Sequence, residues 1–258
     1  MKPKKQRADL LLVERGLVDS RSRAQALIMA GQVFSGDRRV EKAGDKLAPD
    51  AELSVKEQPR FVSRGGDKLA HALDAFAPLG LSVADRVAVD VGASTGGFTD
   101  CLLQRGTTRV HAVDVGWGQL HPKLRDDPRV DCRERTNARH LTAADFPTPI
   151  DLVVVDASFI GIAKLLDAIA SFLRPGGDLV ALIKPQFEVG KEVAQKTRGV
   201  IRDEAAREIA ITAALTSLEE AGFTIMARVD STVRGPKGNL EHLVWARREH
   251  GSTKRCDN

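Results

Sequence analysis

Two apolar runs in this 258-residue chain end on a charge: "IDLVVVDASFI" at Asp156 and "DLVALIKPQFE" at Lys184. In an open parallel sheet the carboxyl ends of the strands line the crevice where ligands bind. Both charges therefore fall where chemistry is expected. Two more residues raise the same question. Lys68, in "FVSRGGDKL", stands just before a helical stretch and beside a glycine pair, and Glu241, in "GNLEHLVW", starts the last strand. Lysines and carboxylates gathered at one place can hold and move a proton. A lysine does so as a base only when its pKa drops well below the ordinary ~10.4, through burial or a second ammonium close by. Taken singly, each residue has a plainer explanation. Lys68 reads as a solvated helix residue, Asp156 as a helix cap, Lys184 as a surface loop residue and Glu241 as an edge charge that blocks aggregation.

A glycine-rich loop precedes three of the four. "DVGASTGGFTD" (90–100) follows a strand and opens a helix, the position at which an open α/β sheet binds a nucleotide-type ligand. Ser94 occupies the middle glycine position of G-x-G-x-x-G, so that pattern fails. D-x-G-x-S-x-G fits, with Asp90, Gly92, Ser94 and Gly96, followed by Gly97 and Phe98. An acid at the strand tip repels a pyrophosphate and tolerates the cationic methionine portion of S-adenosylmethionine. Asp114 ends the next strand 22 residues after Gly92, where an acid can accept hydrogen bonds from ribose hydroxyls. Asn137, in "RTNAR" after a short "RVDCRE" strand, is placed to bond an adenine edge.

The elements that must position these residues fall into two parts. From residue 60 the runs 86–92, 109–116, 150–158 and 178–185 are apolar and bounded by turns, with helical stretches such as "GGFTDCLLQRG" and "IAKLLDAIASFLRPGG" between them. That alternation calls for a parallel sheet covered on both faces. "TIMARVDSTVRGPKGNLEHLVWARR" then reads as two strands joined by a Gly/Pro loop, an antiparallel hairpin at the end. The first part reads as two short helices, with Ala24, Leu27 and Ile28 on the buried side of the second, and a hairpin turning at Gly36-Asp37. The boundaries expected are 1–58 for the first domain, 59–64 for a linker around Pro59, 65–248 for the second domain and 249–258 for a polar tail.

Charge is concentrated at the start. Residues 1–46 hold 11 Lys and Arg, Lys2 and Lys4 among them, against 6 Asp and Glu, a net of +5, while the whole chain is +4. The remaining 212 residues are therefore near neutral, and the basic module suits a polyanionic partner. No apolar stretch approaches the ~20 residues of a membrane helix. The basic N-terminus has an apolar part broken by Glu14 and Arg15, unlike a signal peptide. Three cysteines, Cys101, Cys132 and Cys256, lack C-x-x-C spacing and the six histidines are scattered. No metal site or disulfide scaffold is expected, and the cytoplasm is the expected compartment.

The segment "SRSRAQALIMAGQVFSGDRRV" resembles the S4 RNA-binding domain over residues 7–58, with Phe34-Ser35-Gly36 where that family more often has Val-Asn-Gly. The resemblance implies docking of structured RNA by shape and phosphate contact, through Arg7, Arg21, Arg23 and Arg38, with Arg64 beyond it. An aromatic content of 4% with no Tyr agrees, because base-stacking platforms need aromatic residues. The ordered set Lys68, Asp156, Lys184, Glu241 resembles the Lys-Asp-Lys-Glu tetrad of ribose 2′-O-methyltransferases of the FtsJ type. Together with an S4 domain, "SRGGDKL", "DVGASTGGFTD", "AVDVGWGQL", "DASFI", "LIKPQFE" and "GNLEHLVW" resemble the TlyA family of bacterial ribosomal RNA 2′-O-methyltransferases. Thr95 stands where many FtsJ-type loops have Pro. The family implies a class I methyltransferase fold, a Rossmann-like sheet with a C-terminal antiparallel hairpin, preceded by a small α+β domain.

It also implies S-adenosylmethionine as cofactor and a ribose hydroxyl, of cytidine, in ribosomal RNA or ribosomal subunits as acceptor. Lys184 is then the base, Lys68 its positive neighbour and substrate orienter, Asp156 the group aligning Lys184, and Glu241 a partner of Lys68 or of the ribose. Three alternatives remain at this point. Some members of the family carry a haemolysin label, which would make the chain membrane-active; it has neither a spanning segment nor a long basic amphipathic helix with aromatic anchors. A base methyltransferase would more often show Asn/Asp-Pro-Pro-aromatic where this chain has "DASF". A non-catalytic RNA-binding protein would have no use for the tetrad.

Overall fold

The computed structural model describes residues 5–56, 59–189, 200–235 and 237–250; Lys2, Lys4, Pro236, Cys256 and nearly all of the 249–258 tail lie outside the described residues. The chain divides into two compact units, Met1–Pro59 and Arg60–Asn258.

In the first unit α1 (Ala8–Glu14) and α2 (Arg21–Met29) pack over short strands. Ser20 opens α2 by accepting a hydrogen bond from the Arg23 N–H, satisfying one of the helix's free donors. Ala24, Leu27 and Ile28 of α2 join Ala8, Leu12, Val33 and Val40 in a small core. Strands β2 (Val33–Ser35) and β3 (Arg38–Arg39) pair antiparallel with Ser35 opposite Arg38, so Gly36-Asp37 is the whole turn. Within that turn positive φ is confined to Gly36, at 57°, which agrees with a turn of the Gly-first kind. The structure adds β5 (Leu53–Val55), antiparallel to β2, and a separate pair of β1 (Gln6–Arg7) with β4 (Lys46–Leu47).

Among the described residues the second unit is built on seven strands. In chain order they are β6 (Val87–Val91), β7 (Arg109–Val113), β8 (Val130–Arg133), β9 (Ile150–Val155), β10 (Leu173–Ile183), β11 (Phe223–Asp230) and β12 (His242–Arg248). Their order across the sheet is β11-β12-β10-β9-β6-β7-β8. The first five are mutually parallel and bury Val, Ile and Leu on both faces. The C-terminal hairpin does not simply extend the sheet. β12 inserts between β10 and β11 and is antiparallel to both, so β11 runs parallel to the rest.

Helices α3 (Gly65–Phe76) and α4 (Gly97–Gln104) pack their N-terminal ends together, which glycine permits. A Cβ on Gly66 would lie 2.3 Å from the Phe61 ring, and one on Gly97 would lie 2.2 Å from Ser63 Oγ. Lys68 is thereby inside the first turn of α3 rather than ahead of a helix. The "RPGG" that reads as the end of a helix belongs to β10, whose register with β9 shifts between Leu173 and Asp178. The short α5 (Pro122–Arg125) leads into β8, α6 (Ala163–Phe172) leads into β10, and α7 (Pro185–Glu188) follows it. The 17-residue α8 (Glu204–Glu220) covers one face through Ala210, Ile211, Ala214 and Leu218.

Candidate active site

Asp156 and Lys184 each stand one residue beyond a strand, after β9 and β10. Asp156 still donates its N–H to Val91 O (3.0 Å), so the end of β6 sets its height. Lys184 precedes Pro185, which starts α7 at once and turns the chain away. Glu241 lies one residue ahead of β12, buried, with Gly235 folded onto it; a Cβ there would lie 2.6 Å from Glu241 Oε1.

The four charges form two ion pairs on the wall of one cavity of about 270 Å³. Lys184 Nζ is 2.6 Å from Asp156 Oδ1, and Lys68 pairs with Glu241. Both lysines and Glu241 are buried, and Asp156 is half-buried. Lys184 Nζ also donates to Ser158 Oγ at 2.9 Å. Ser63, Arg64, Gly97 and Phe98 also line the cavity.

A larger cavity of about 700 Å³ adjoins the first. Asp114 and Asn137 line it, with Val91, Val113, Thr136, Arg139, Ile160, Lys164 and Leu165. Gly92, Ser94, Asp156 and Ser158 line both cavities. Gly92 must be glycine, because its φ is +84° and a Cβ would meet Asp156 O at 2.9 Å. Ser94 also takes a left-handed conformation, φ 48°, and its N–H donates to Asp114 Oδ2 at 2.8 Å. The Gly116 N–H donates to Asp114 Oδ1 at 2.7 Å, so the carboxylate fixes the loop and keeps a second lone pair on each oxygen for a ligand. Asn137 uses its amide oxygen on the Arg139 N–H at 3.1 Å.

Two of the expected cofactor residues line neither cavity. Gly96, φ +97°, turns toward Leu124 and Leu120, where a Cβ would lie 2.2 Å from Leu124 Cδ1. Asp90 is not at the strand tip. It sits within β6 opposite Ala112 and Val154, with no exposed surface, and accepts a hydrogen bond from Thr99 Oγ1 at 2.7 Å. Burial pushes its carboxyl up to about 7, and the nearby charges of Asp156 and Asp114 push the same way against the Thr99 bond. Asp90 thus lies under the loop as a brace, neutral below about pH 7.

The expected RNA contacts also divide. Arg23 and Arg38 are exposed, and Arg64 is exposed at the mouth of the smaller cavity. Arg7 and Arg21 instead converge on Asp9: Arg7 Nε at 2.9 Å from Oδ1, and Arg21 Nε at 2.9 Å from Oδ2, joined there by Gln25 Nε2 at 3.0 Å. The Arg7 hydrogen bond, with help from Gln25 and Arg21, holds the Asp9 carboxyl well below the usual carboxylate range. Sequence reasoning missed Ser158, Thr99, Arg139 and Lys164. The only signal for Ser158 was its place inside "DASFI", and for Thr99 its spacing of nine from Asp90 across the loop.

Among the described residues no helix is long and apolar enough to cross a membrane, and no group of three or more His, Cys, Asp or Glu could hold a metal ion.

Residues 61–248 match the FtsJ-like methyltransferase family and residues 6–53 match the S4 domain. A 16S/23S rRNA (cytidine-2′-O)-methyltransferase TlyA from Mycobacterium tuberculosis is 43% identical over 243 residues, 93% of this chain and 89% of that protein. A solved chain from Streptococcus thermophilus that bears a hemolysin name is 39% identical, covers 96% of this chain and 90% of its own, and has a TM-score of 0.72. An S-adenosylmethionine-dependent methyltransferase from Mesorhizobium loti, 17% identical, covers 71% of this chain and 100% of its own at a TM-score of 0.51; it shares the fold. With both domains matched in order and such identity along nearly its whole length, the chain belongs to the TlyA family, an FtsJ-like methyltransferase domain preceded by an S4 domain.

Proposed function

We propose that the chain transfers a methyl group from S-adenosylmethionine to a ribose 2′-hydroxyl of ribosomal RNA, with cytidine as the nucleoside. The observation that carries this reading is the shared wall of the two cavities, Gly92, Ser94, Asp156 and Ser158, with both ion pairs on the side of the smaller one. The larger cavity falls within the roughly 300–1,000 Å³ of small-molecule sites. Its lining suits a nucleoside: an acid with free lone pairs for ribose hydroxyls in Asp114, an amide in Asn137, and apolar walls from Val91, Val113, Ile160 and Leu165. Bound there, S-adenosylmethionine supplies an electrophilic methyl on a cationic sulfur.

The chain's own residues do the rest. Lys184 accepts the hydroxyl proton on Nζ, with the negative charge of Asp156 beside it at the boundary between the cavities. Lys68, held by Glu241, presents a positive charge that orients the acceptor ribose in the smaller cavity. Asp90 contributes from below, as the brace of the loop rather than as a ligand group. The first domain, 1–58, docks the RNA, Arg23 and Arg38 offering phosphate contacts and Arg7 and Arg21 giving part of their charge to Asp9. The segment 59–64 brings Arg64 to the mouth of the acceptor cavity, and ribosomal RNA as substrate makes the cytoplasm the place of work.

Lys184→Ala tests the reading with tritiated S-adenosylmethionine and ribosomal RNA. Loss of a proton acceptor lowers transfer roughly 10²–10⁴-fold while cofactor affinity survives. Near-normal turnover removes Lys184 from the role, and absence of new 2′-O-methyl groups on RNA treated with the unaltered protein removes the activity.

A further inference from the structure

Among the described residues, two oxygens lie close to Lys184 Nζ, and they differ in kind. Ser158 Oγ, at 2.9 Å, accepts an aligned hydrogen bond. Asp156 Oδ1, at 2.6 Å, is nearer but lies off the hydrogen-bond directions, so that contact is an ion pair without directional hold. Asp156 therefore supplies charge, and another atom must supply direction. Direction is what a lysine base needs, because a neutral amine has a single lone pair opposite its N–H bonds.

The segment bearing Ser158 is held on both sides. Asp156 N–H is on Val91 O, and the absent Cβ of Gly92 lets the 156–157 backbone close against the loop. Phe159, next in sequence, has φ 67°, a left-handed conformation that a bulky residue keeps only where its surroundings impose it. Beyond it, the Ile162 N–H donates to Glu188 Oε1 at 2.9 Å and the Phe159 and Phe187 rings lie 5.4 Å apart. The loop after β9 is thus tied to the segment after Lys184, and Ser158 and Lys184 keep a common frame.

We propose that Ser158 is a positioning residue that turns the Lys184 lone pair toward the acceptor hydroxyl in the smaller cavity. The proposal rests on the function given above. The N–H on Ser158 Oγ fixes rotation about the Cε–Nζ bond, which leaves one tetrahedral direction of Nζ for the cavity that Lys184 lines, with the charge of Asp156 beside it. As Nζ takes the proton, the ribose O–H bond breaks and an N–H bond forms. The oxygen's electron pair forms the new C–O bond, and the electrons of the C–S bond stay with sulfur, which leaves as a neutral thioether. Lys184 ends as an ammonium whose N–H groups face Ser158, Asp156 and the new ether oxygen, and it gives its extra proton to solvent after release.

Ser158 is solvent-exposed, so truncating it leaves the core intact. Ser158→Ala should lower the single-turnover rate of methyl transfer to ribosomal RNA about 10- to 100-fold, the scale of a misaligned reacting group. S-adenosylmethionine affinity by calorimetry should stay within about threefold, since only alignment is lost. Ser158→Thr, which keeps the hydroxyl, should recover most of the rate. The proposal is overturned if the alanine variant turns over at the normal rate, if threonine is as slow as alanine, or if the loss lies in cofactor affinity alone. Lys184→Ala separates the two readings: an inactive lysine variant beside a fully active Ser158→Ala removes only the role of Ser158. An active lysine variant removes both.

Discussion

Asp9 in the first unit and Asp90 in the second are both aspartates with no exposed surface, yet their environments push their carboxyl pKa values in opposite directions. Asp9 lies shallowly, covered by the guanidinium groups of Arg7 and Arg21, which keep 37% and 53% of their own surface in water. Four side-chain hydrogen bonds reach its two oxygens, and it stays ionised. Asp90 lies deep within a strand, with Thr99 on one oxygen and acids as its electrostatic neighbours. Depth and the choice of partner, more than exposure, decide whether a buried carboxylate is a charge or a neutral brace.

The largest expected effect concerns Asp90. Its carboxyl titrates at about 7 when folded and at the ordinary ~3.9 when unfolded, so between those values the native state binds the extra proton. Stability is then full below pH ~4 and falls as pH rises through about 7, by up to about 4 kcal/mol in all. Asp90→Asn removes that slope, whatever constant offset the amide introduces. Both tryptophans, Trp117 and Trp245, lie in the second unit, so urea melts followed by tryptophan fluorescence at pH 4–8 report on it. An unchanged slope makes Asp90 an ordinary ionised acid. Cofactor affinity in the same variant sharpens the contrast: a brace leaves it nearly unchanged, whereas a ligand group does not.

Asp9 should respond with the opposite sign. Its carboxyl is depressed in the folded state, so its contribution is full above pH ~4 and is lost as pH falls below that. Asp9→Asn should cost the first unit about 2 kcal/mol at neutral pH, discounted from the 3–5 of a fully buried broken pair because both arginines are half in water. The local unfolding free energy of residues 8–55 by hydrogen exchange measures this. The difference from the unaltered chain should shrink at pH 3; a difference that grows there reverses the assignment.

These two acids also show what the sequence could and could not reveal. Asp156 and Lys184 were legible because a charge ending an apolar parallel strand has few reasons to be there, and the structure places both one residue past a strand. Asp90 was misplaced because D-x-G spacing says nothing about where the ladder stops; β6 continues to Val91, which carries Asp90 into the interior. Asp9 looks like an ordinary first-turn helix acid, so nothing in the sequence pairs Arg7 and Arg21 with it. Lys68 reads as preceding a helix because Gly65 and Gly66 look like a break; the close approach of Phe61 is what makes glycine fit inside the turn. Helix α8 carries Asp203 as its cap, a signal that lies in the sequence outside any motif. Ser158 needed three dimensions, because only its distance to Nζ distinguishes it from any serine after a strand.

Thr99→Val probes the brace more gently. It removes the hydroxyl that donates to Asp90 and keeps the shape, at a cost of about 1 kcal/mol. The Thr99 bond is what draws the Asp90 carboxyl down, so without it titration should move above about 7 and the falling limb of stability should extend to higher pH. A shift to lower pH would mean that the threonine donates elsewhere.

The smallest effect separates Arg21 from Arg23, two residues apart on α2. Both are exposed, but Arg21 spends part of its charge on Asp9, whereas among the described residues Arg23 is engaged through its backbone N–H on Ser20. Each phosphate contact contributes roughly 0.9 to the salt-dependence slope of binding to duplex nucleic acid. Arg23→Ala should therefore lower that slope for ribosomal RNA by nearly one contact, with little change in stability. Arg21→Ala should lower it by less and instead loosen the first unit by up to about 1 kcal/mol, the value of a half-exposed ion pair. Equal slopes from the two variants, with no loss of protection around Asp9, would show that the shallow carboxylate leaves Arg21 free for RNA. The first unit's buried acid would then hold its charge through Arg7 and Gln25.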